Sequence, residues 1–185
     1  AIVEDISEQW GALDLVILNA GTCEYLEPGQ FDSDTVERVM RTNLLGTSQC
    51  LQAALPLLRR GQRPHLVVVA SSVAWLALPR AAAYGASKAA LRYLVESLRI
   101  DLMAEGIDVT LVSPGFVDTP LTKGNDFKMP ALTSPDVAAA EIIKGIEHGH
   151  FEIHFPKRFT YWLRMIRRLP YPVKFRLLKE VAKKS

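Results

Sequence analysis

The sequence predicts an α/β fold built on a doubly wound parallel sheet, and two patterns carry that prediction. Short apolar runs alternate with long helical stretches, and each of the main runs stops at small or turn-forming residues. Runs rich in β-branched residues and bounded in this way suit strands covered on both faces. Strand–helix alternation is the arrangement that places such strands in one parallel sheet. At 185 residues, 49% of them hydrophobic and 23% charged, the chain has the length of one domain with a sizeable core and the composition of an ordered protein.

The elements follow in order. Ala1 to Trp10 reads as the end of a helix, with Glu4, Asp5 and Glu8 among its residues. Leu13 to Asn19 is the first strand and ends in Ala20-Gly21. A long helix starts near Asp32-Ser33, both good N-cap types, and runs to about Arg60 before Gly61. His65 to Ala70 is the second strand and ends in Ser71-Ser72. The next helix runs from about Ala81 to Ala104 and stops at Gly106. Ile107 to Val112 is the third strand, ending in Ser113-Pro114-Gly115. Ser134-Pro135-Asp136 opens another helix with an N-cap, a proline at the first helical position and an acid in the first turn. His150 to Phe155 is a last short strand.

In such a sheet ligands sit at the carboxyl ends of the strands, so the chemistry is expected at Asn19-Ala20-Gly21, Ser71-Ser72 and Ser113-Pro114-Gly115. Tyr84 and Lys88 stand four apart on a predicted helix and share a face. A free tyrosine titrates near pH ~10, and a neighbouring ammonium favours its phenolate. A tyrosine tuned in this way can give a proton to a carbonyl oxygen or take one from an alcohol. A serine hydroxyl at the preceding strand end can hold the same substrate oxygen. Ser72 is the preferred residue, and Ser71, one step away, stays open.

These pieces together resemble the short-chain dehydrogenase/reductase family in its single-domain form. The match rests on Asn19-Ala20-Gly21 after a strand, Asn43 within RTNLLGT, Ser71-Ser72 after the next strand, Tyr84-Gly-Ala-Ser-Lys88, and Pro114-Gly-Phe-Val-Asp-Thr119. The resemblance covers residue 1 to roughly residue 155 and implies a Rossmann-like sheet. It assigns Tyr84 as proton donor and acceptor, and Ser72 as the group orienting the substrate carbonyl. Lys88 would bind the nicotinamide ribose and lower the tyrosine pKa. Asn43 would keep a helix locally open and hold a water linking Lys88 to solvent. Asn19, Ala20 and Gly21 would support the adenosine side of the cofactor, and Pro114, Gly115, Val117 and Thr119 its nicotinamide end. The family's usual serine-to-tyrosine spacing favours Ser71, whereas alignment to the strand end favours Ser72. The family's glycine-rich phosphate turn has no counterpart before Leu13, so the expected form is an N-terminally truncated one, short by about 60 to 75 residues. The cofactor implied is NAD or NADP, with NADP preferred. The implied partners are a carbonyl or alcohol substrate and further copies of the chain, paired through the two long helices. The rival reading is a non-catalytic remnant that acts as a dimerisation or membrane-binding module.

Asp118 to Leu132 falls where the family carries a mobile substrate loop, and its Gly, Pro and Asn suit a lid. Trp75, Leu76, Leu78, Phe127 and Met129 are expected to form an apolar pocket for a hydrophobic substrate. The net charge of +2 hides an asymmetry: residues 151–185 carry ten Lys/Arg against two Glu, which leaves the first 150 residues acidic. Residues 1–155 therefore read as the dehydrogenase domain and 156–185 as a basic amphipathic tail. That tail suits either packing on its own domain or contact with an anionic membrane surface. Nucleic-acid binding is disfavoured by the acidic body. The longest apolar run, Leu66 to Pro79, is too short to span a bilayer. His148, His150 and His154 fit no metal-ligand motif and are expected as strand and surface residues. Cys23 and Cys50 read as buried or free thiols in a reducing compartment, and the expected location is cytoplasmic or peripheral to a membrane.

Overall fold

A computed structural model describes residues 2–127 and 129–182, so Ala1, Lys128 and the last three residues of the tail lie outside the described residues. Four strands form one sheet in the order β1-β2-β3-β4. They are β1 Leu15–Leu18, β2 His65–Val69, β3 Asp108–Pro114 and β4 Glu152–Phe155. All three pairings are parallel, with Val16 opposite Leu66, Val67 opposite Thr110 and Val112 opposite Ile153. The predicted strands are thus present, and the parallel α/β class holds.

Helices cover both faces. Side chains of a strand alternate between faces, so Leu66 and Val68 point one way and Val67 the other. On the first face Val16, Leu66, Val68, Val109 and Leu111 pack with Leu51, Ala54 and Leu58 of α3 (Thr47–Leu58) and Leu91, Val95 and Leu102 of α4 (Ala82–Met103). On the second, Val67, Val112, Ile153 and Phe155 pack with Ala138 of α6 (Pro135–Glu147). Each fully buried side chain of this kind contributes about 1.5–3 kcal/mol relative to exposure. Gly145 lets α6 approach β4, because a Cβ there would lie 2.5 Å from the Ile153 side chain. The Ser134 hydroxyl caps α6 by accepting from the Val137 N–H at 3.4 Å.

The structure differs from the expected elements in three places. The single helix expected over about 32–60 is α2 (Ser33–Met40), a π-helical turn at Arg41–Gly46, and α3. Side chains compete for carbonyls there: Thr47 Oγ1 donates to the Asn43 carbonyl at 2.8 Å and Ser48 Oγ to that of Leu44 at 2.8 Å. The loop after β3 carries a helical turn, α5 (Pro120–Lys123), and its base is tied by Asp118 N–H to Thr133 O and Thr133 N–H to Phe116 O, both 2.9 Å. The tail is two helices, α7 (Lys157–Arg167) and α8 (Tyr171–Ala182), separated near Pro170. Leu163, Ile166 and Leu178 of these helices pack with Trp75 and Leu76, so the boundary expected at residue 155 is crossed by a buried cluster. Among the described residues no helix is long and apolar enough to cross a membrane.

Candidate active site

An open cleft of about 630 Å³ lies at the carboxyl ends of β1, β2 and β3. Asn19, Ala20 and Gly21 line it where β1 ends, and Pro114, Gly115, Val117 and Thr119 where β3 ends. Tyr84 and Lys88 face it from the first turns of α4, and Ser71 from the end of β2. The nine residues expected along a cofactor thus share one cleft.

Ser71, and not Ser72, is the serine of this cleft. The Ser71 side chain shares the cleft with Tyr84, whose pKa it lowers, and caps the 3-10 turn Ser72–Trp75 by accepting from the Val73 N–H at 3.3 Å. Ser72 is buried within that turn and away from the cleft. The physical reason is the reversal of the chain at the strand end. Ser71 is still extended (φ −170°, ψ 153°) and faces outward, whereas Ser72 begins the turn and faces in. The interval to Tyr84 is therefore 13 residues, the family's usual spacing.

Lys88 is buried and its ammonium donates to the Val69 carbonyl at 3.0 Å. Burial brings its pKa down to about 8. Burial also pushes the Tyr84 phenol up to about 12, opposed by the Ser71 hydrogen bond. This reverses the expected depression of the tyrosine. Lys88 Nζ lies 6.0 Å from the Tyr84 ring centroid and is committed to backbone, so desolvation outweighs any attraction from the ammonium. In this state Tyr84 is a neutral phenol across the physiological range.

Asn43 is fully buried at the π-helical turn and bridges two segments. Its Oδ1 accepts from the Thr22 N–H at 2.8 Å, and its Nδ2 donates to Thr22 O and to Ser87 Oγ, both at 2.9 Å. Ser87 Oγ in turn donates to the Tyr84 carbonyl at 2.8 Å. Both amide hydrogens of Asn43 are therefore engaged in pinning the loop after β1 to the turn of α4 that carries Tyr84 and Lys88. Gly21 sits between these groups: a Cβ there would lie 3.2 Å from Asn43 Oδ1 and 3.3 Å from Lys88 Nζ.

The expected substrate pocket is only partly present. Trp75 and Leu76 are buried in the cluster beneath α7, and Leu78 packs against it, so these three are core. Trp75 Nε1 donates to Glu152 Oε1 at 3.2 Å, and the same carboxylate pairs with Arg92 and Arg164. Phe127 belongs instead to a chain of rings with Tyr25 and Phe116. Met129 Sδ accepts from Asn125 Nδ2 at 3.2 Å. His154 is buried between the rings of Trp75 and Tyr161 and shares a hydrogen bond with Thr160 Oγ1, 2.8 Å from Nδ1. Sequence reasoning missed Thr22, Ser87, Tyr25, Cys23 and Arg80. Ser87 alone had a local signal, one residue before Lys88 and three after Tyr84 on the same helix.

The sequence profile of the short chain dehydrogenase family matches residues 1–129. A Myxococcus xanthus (strain DK1622) protein named as an uncharacterized oxidoreductase is 37% identical over 171 residues, which are 92% of this chain and 68% of that protein. The 11-beta-hydroxysteroid dehydrogenase 1A of Arabidopsis thaliana is 37% identical over 127 residues, covering 68% of this chain and 36% of that one. A short chain dehydrogenase from Burkholderia cenocepacia J2315, solved in complex with NADP, superposes with a TM-score of 0.82 at 24% identity over 95% of this chain and 73% of its own.

Proposed function

Because the chain belongs to the short-chain dehydrogenase/reductase family, we propose that its cleft serves an oxidoreductase in which Tyr84 passes a proton to or from the oxygen of a carbonyl or alcohol substrate. The observation that carries this reading is the placement of Ser71, Tyr84 and Lys88 together in one cleft at the strand ends. A nicotinamide cofactor, when bound, supplies the hydride that the substrate carbon accepts. The cleft fits the nicotinamide-ribose end of such a group, with a lysine ammonium in its wall and backbone at Gly21 that a side chain would crowd. The NADP complex of the Burkholderia protein of the same fold supports a nicotinamide cofactor, NAD or NADP.

This chain's residues do the remaining work in the reducing direction. The Ser71 hydroxyl holds the substrate oxygen next to the phenol. Tyr84, kept neutral by burial, donates its proton to that oxygen as charge builds on it. The ammonium of Lys88 stabilises the phenolate left behind, while Asn43 and Ser87 hold the helical turn in place. The oxidation of an alcohol reverses each transfer. The hydroxysteroid activity named for the Arabidopsis relative supports a bulky apolar substrate.

The test is carbonyl reduction and NADPH or NADH titration with the intact protein and its Tyr84→Phe variant. A loss of turnover of roughly 10²–10⁴-fold with nucleotide binding retained is expected. Reduction that survives the substitution overturns the reading.

Two surfaces support the partner readings. Tyr93, Ile100 and Met103 project from α4, with Tyr93 77% exposed, as a homo-oligomer contact requires. On the outer side of α7, exposed Tyr161, Trp162 and Met165 stand with Lys157 and Arg158, the aromatic-and-basic combination that suits peripheral contact with an anionic membrane.

A further inference from the structure

One side chain that the proton-transfer reading does not use joins two of the segments that follow the strands. Arg80 precedes α4, four residues before Tyr84, and holds a left-handed backbone conformation (φ 62°) that side chains other than glycine rarely adopt. Its carbonyl accepts from the Leu26 N–H at 2.9 Å. Its Nη1 donates to both carboxylate oxygens of Asp126, at 2.8 and 2.9 Å, and its Nη2 to Glu27 at 3.4 Å. The guanidinium also lies over the Tyr25 ring, 5.9 Å from its centroid. Arg80 Nε is buried with no hydrogen-bond partner among the described residues. The side chain is thus spent on joining the segment after β1 to the segment after β3. An unusual backbone at a non-glycine residue persists where its surroundings over-determine it, and three separate partners do so here.

The joined segments carry rings. Tyr25 meets Phe127 edge-on at 5.6 Å, Phe127 meets Phe116 at 5.9 Å, and Phe116 meets Phe159 at 5.8 Å. Tyr25, Phe116 and Phe127 are each half-buried, so each keeps surface for a ligand. Phe116 lies between Gly115 and Val117, both in the cleft wall. Burial pushes the Tyr25 phenol up, and the charges of Cys23 and Tyr84 add to that shift.

We propose that Arg80 is a positioning residue for the substrate: by clasping Asp126 and Tyr25 it assembles the rings of Tyr25, Phe127 and Phe116 into one apolar wall beside Tyr84, which selects ketones and alcohols that carry a flat apolar group. The proposal rests on the reading of Tyr84 as the proton-transfer residue. Centroid separations of 5.6–5.9 Å are edge contacts, and a flat apolar body extends them in the same geometry. Nη1 alone spans both Asp126 oxygens while Nη2 turns to Glu27, so one guanidinium plane orients two carboxylates at once, which a lysine point charge would not do.

The test uses the intact protein with its nicotinamide cofactor, acetophenone as the flat ketone and propanone as the small one. Arg80→Ala removes the clasp and keeps the strained backbone, whereas Arg80→Gly removes both. Each is expected to raise the KM for acetophenone about tenfold while kcat and the propanone KM stay within about twofold. Asp126→Asn should move the acetophenone KM in the same direction by less. Hydrogen exchange read by mass spectrometry on this chain gives a measure independent of turnover. Residues 22–31 and 118–127 should exchange faster together in both Arg80 variants. Equal KM changes for the two ketones, an acetophenone KM that Arg80→Gly restores, or faster exchange confined to the residues beside position 80 each overturn the proposal. If Tyr84→Phe retains activity, the proton-transfer reading fails instead, and the exchange result alone decides whether Arg80 joins the two segments.

Discussion

On the Lys88 side of the cleft the polar groups are buried and bonded largely to backbone: Lys88 to Val69 O, and Asn43 to both the N–H and the C=O of Thr22. On the Arg80 side the polar groups are carboxylates exposed to water, with Asp126 63% and Glu27 67% exposed, and the apolar contacts are ring edges between loops. The two sides flank the same tyrosine. Buried bonds to backbone cannot be exchanged for water without leaving a group unsatisfied, so the first side is fixed before any ligand arrives. Exposed ion pairs are screened and weakly held, so the second side can adjust. On the proposed reading the proton transfer falls on the fixed side and the choice of substrate on the adjustable one.

The largest expected effect sharpens which serine belongs to the fixed side. Ser71→Ala should lower kcat by about 10²-fold or more, because it removes the donor to the substrate oxygen. Ser72→Ala should leave kcat within a few-fold. Equal losses in steady-state assays would erase the distinction drawn from the cleft geometry. A second comparison sets Asn43→Ala against Asp126→Ala. The first strands the Thr22 backbone and should cost about 1–3 kcal/mol in a denaturant titration. The second should leave the midpoint where it was, and similar shifts for both would break the contrast between the two sides.

The third expectation concerns pH. Burial disfavours the Lys88 ammonium and places its pKa near 8 against an ordinary 10.5. Between those values the folded protein binds fewer protons than the unfolded chain, so this group's contribution to stability rises with pH across that window. Activity that needs the ammonium runs the other way: kcat/KM should be level below about pH 8 and fall above it, by up to about tenfold per pH unit. A rate profile with no basic limb before pH 9.5, beside a stability curve that does not rise, would remove Lys88 from the fixed side.

The strands and the residues at their ends were legible in the sequence because apolar runs closed by Gly, Ser and Pro report a buried parallel sheet directly. Tyr84 and Lys88 were legible because helical spacing places them on one face. The choice of Ser71 over Ser72 was half legible: the spacing to Tyr84 pointed to Ser71 and the strand end to Ser72, and where the backbone turns decides between them. Trp75 and Leu76 were misread as pocket because their true partners, Leu163 and Ile166, lie some 90 residues onward on α7. The Arg80 clasp left no local trace either. Its members stand at positions 25, 80 and 126, and nothing in their immediate neighbourhoods marks them as neighbours in space.

The wide turn at Arg41–Gly46 settles a matter of counting as well as of chemistry. A π-helical turn holds about one residue more than the α-helical path it interrupts. Six residues at that wider pitch rotate the chain by nearly the same angle as about five at the α-helical pitch, so the turn takes up an extra residue without putting its flanks out of phase. Thr35 and Val39 on α2 and Leu51 and Leu58 on α3, all buried, can therefore face the interior together although one residue too many for a regular helix stands between them. The cost falls on carbonyls within the turn, two of which take the Thr47 and Ser48 hydroxyls. The segment thus works as a phase correction between two helices.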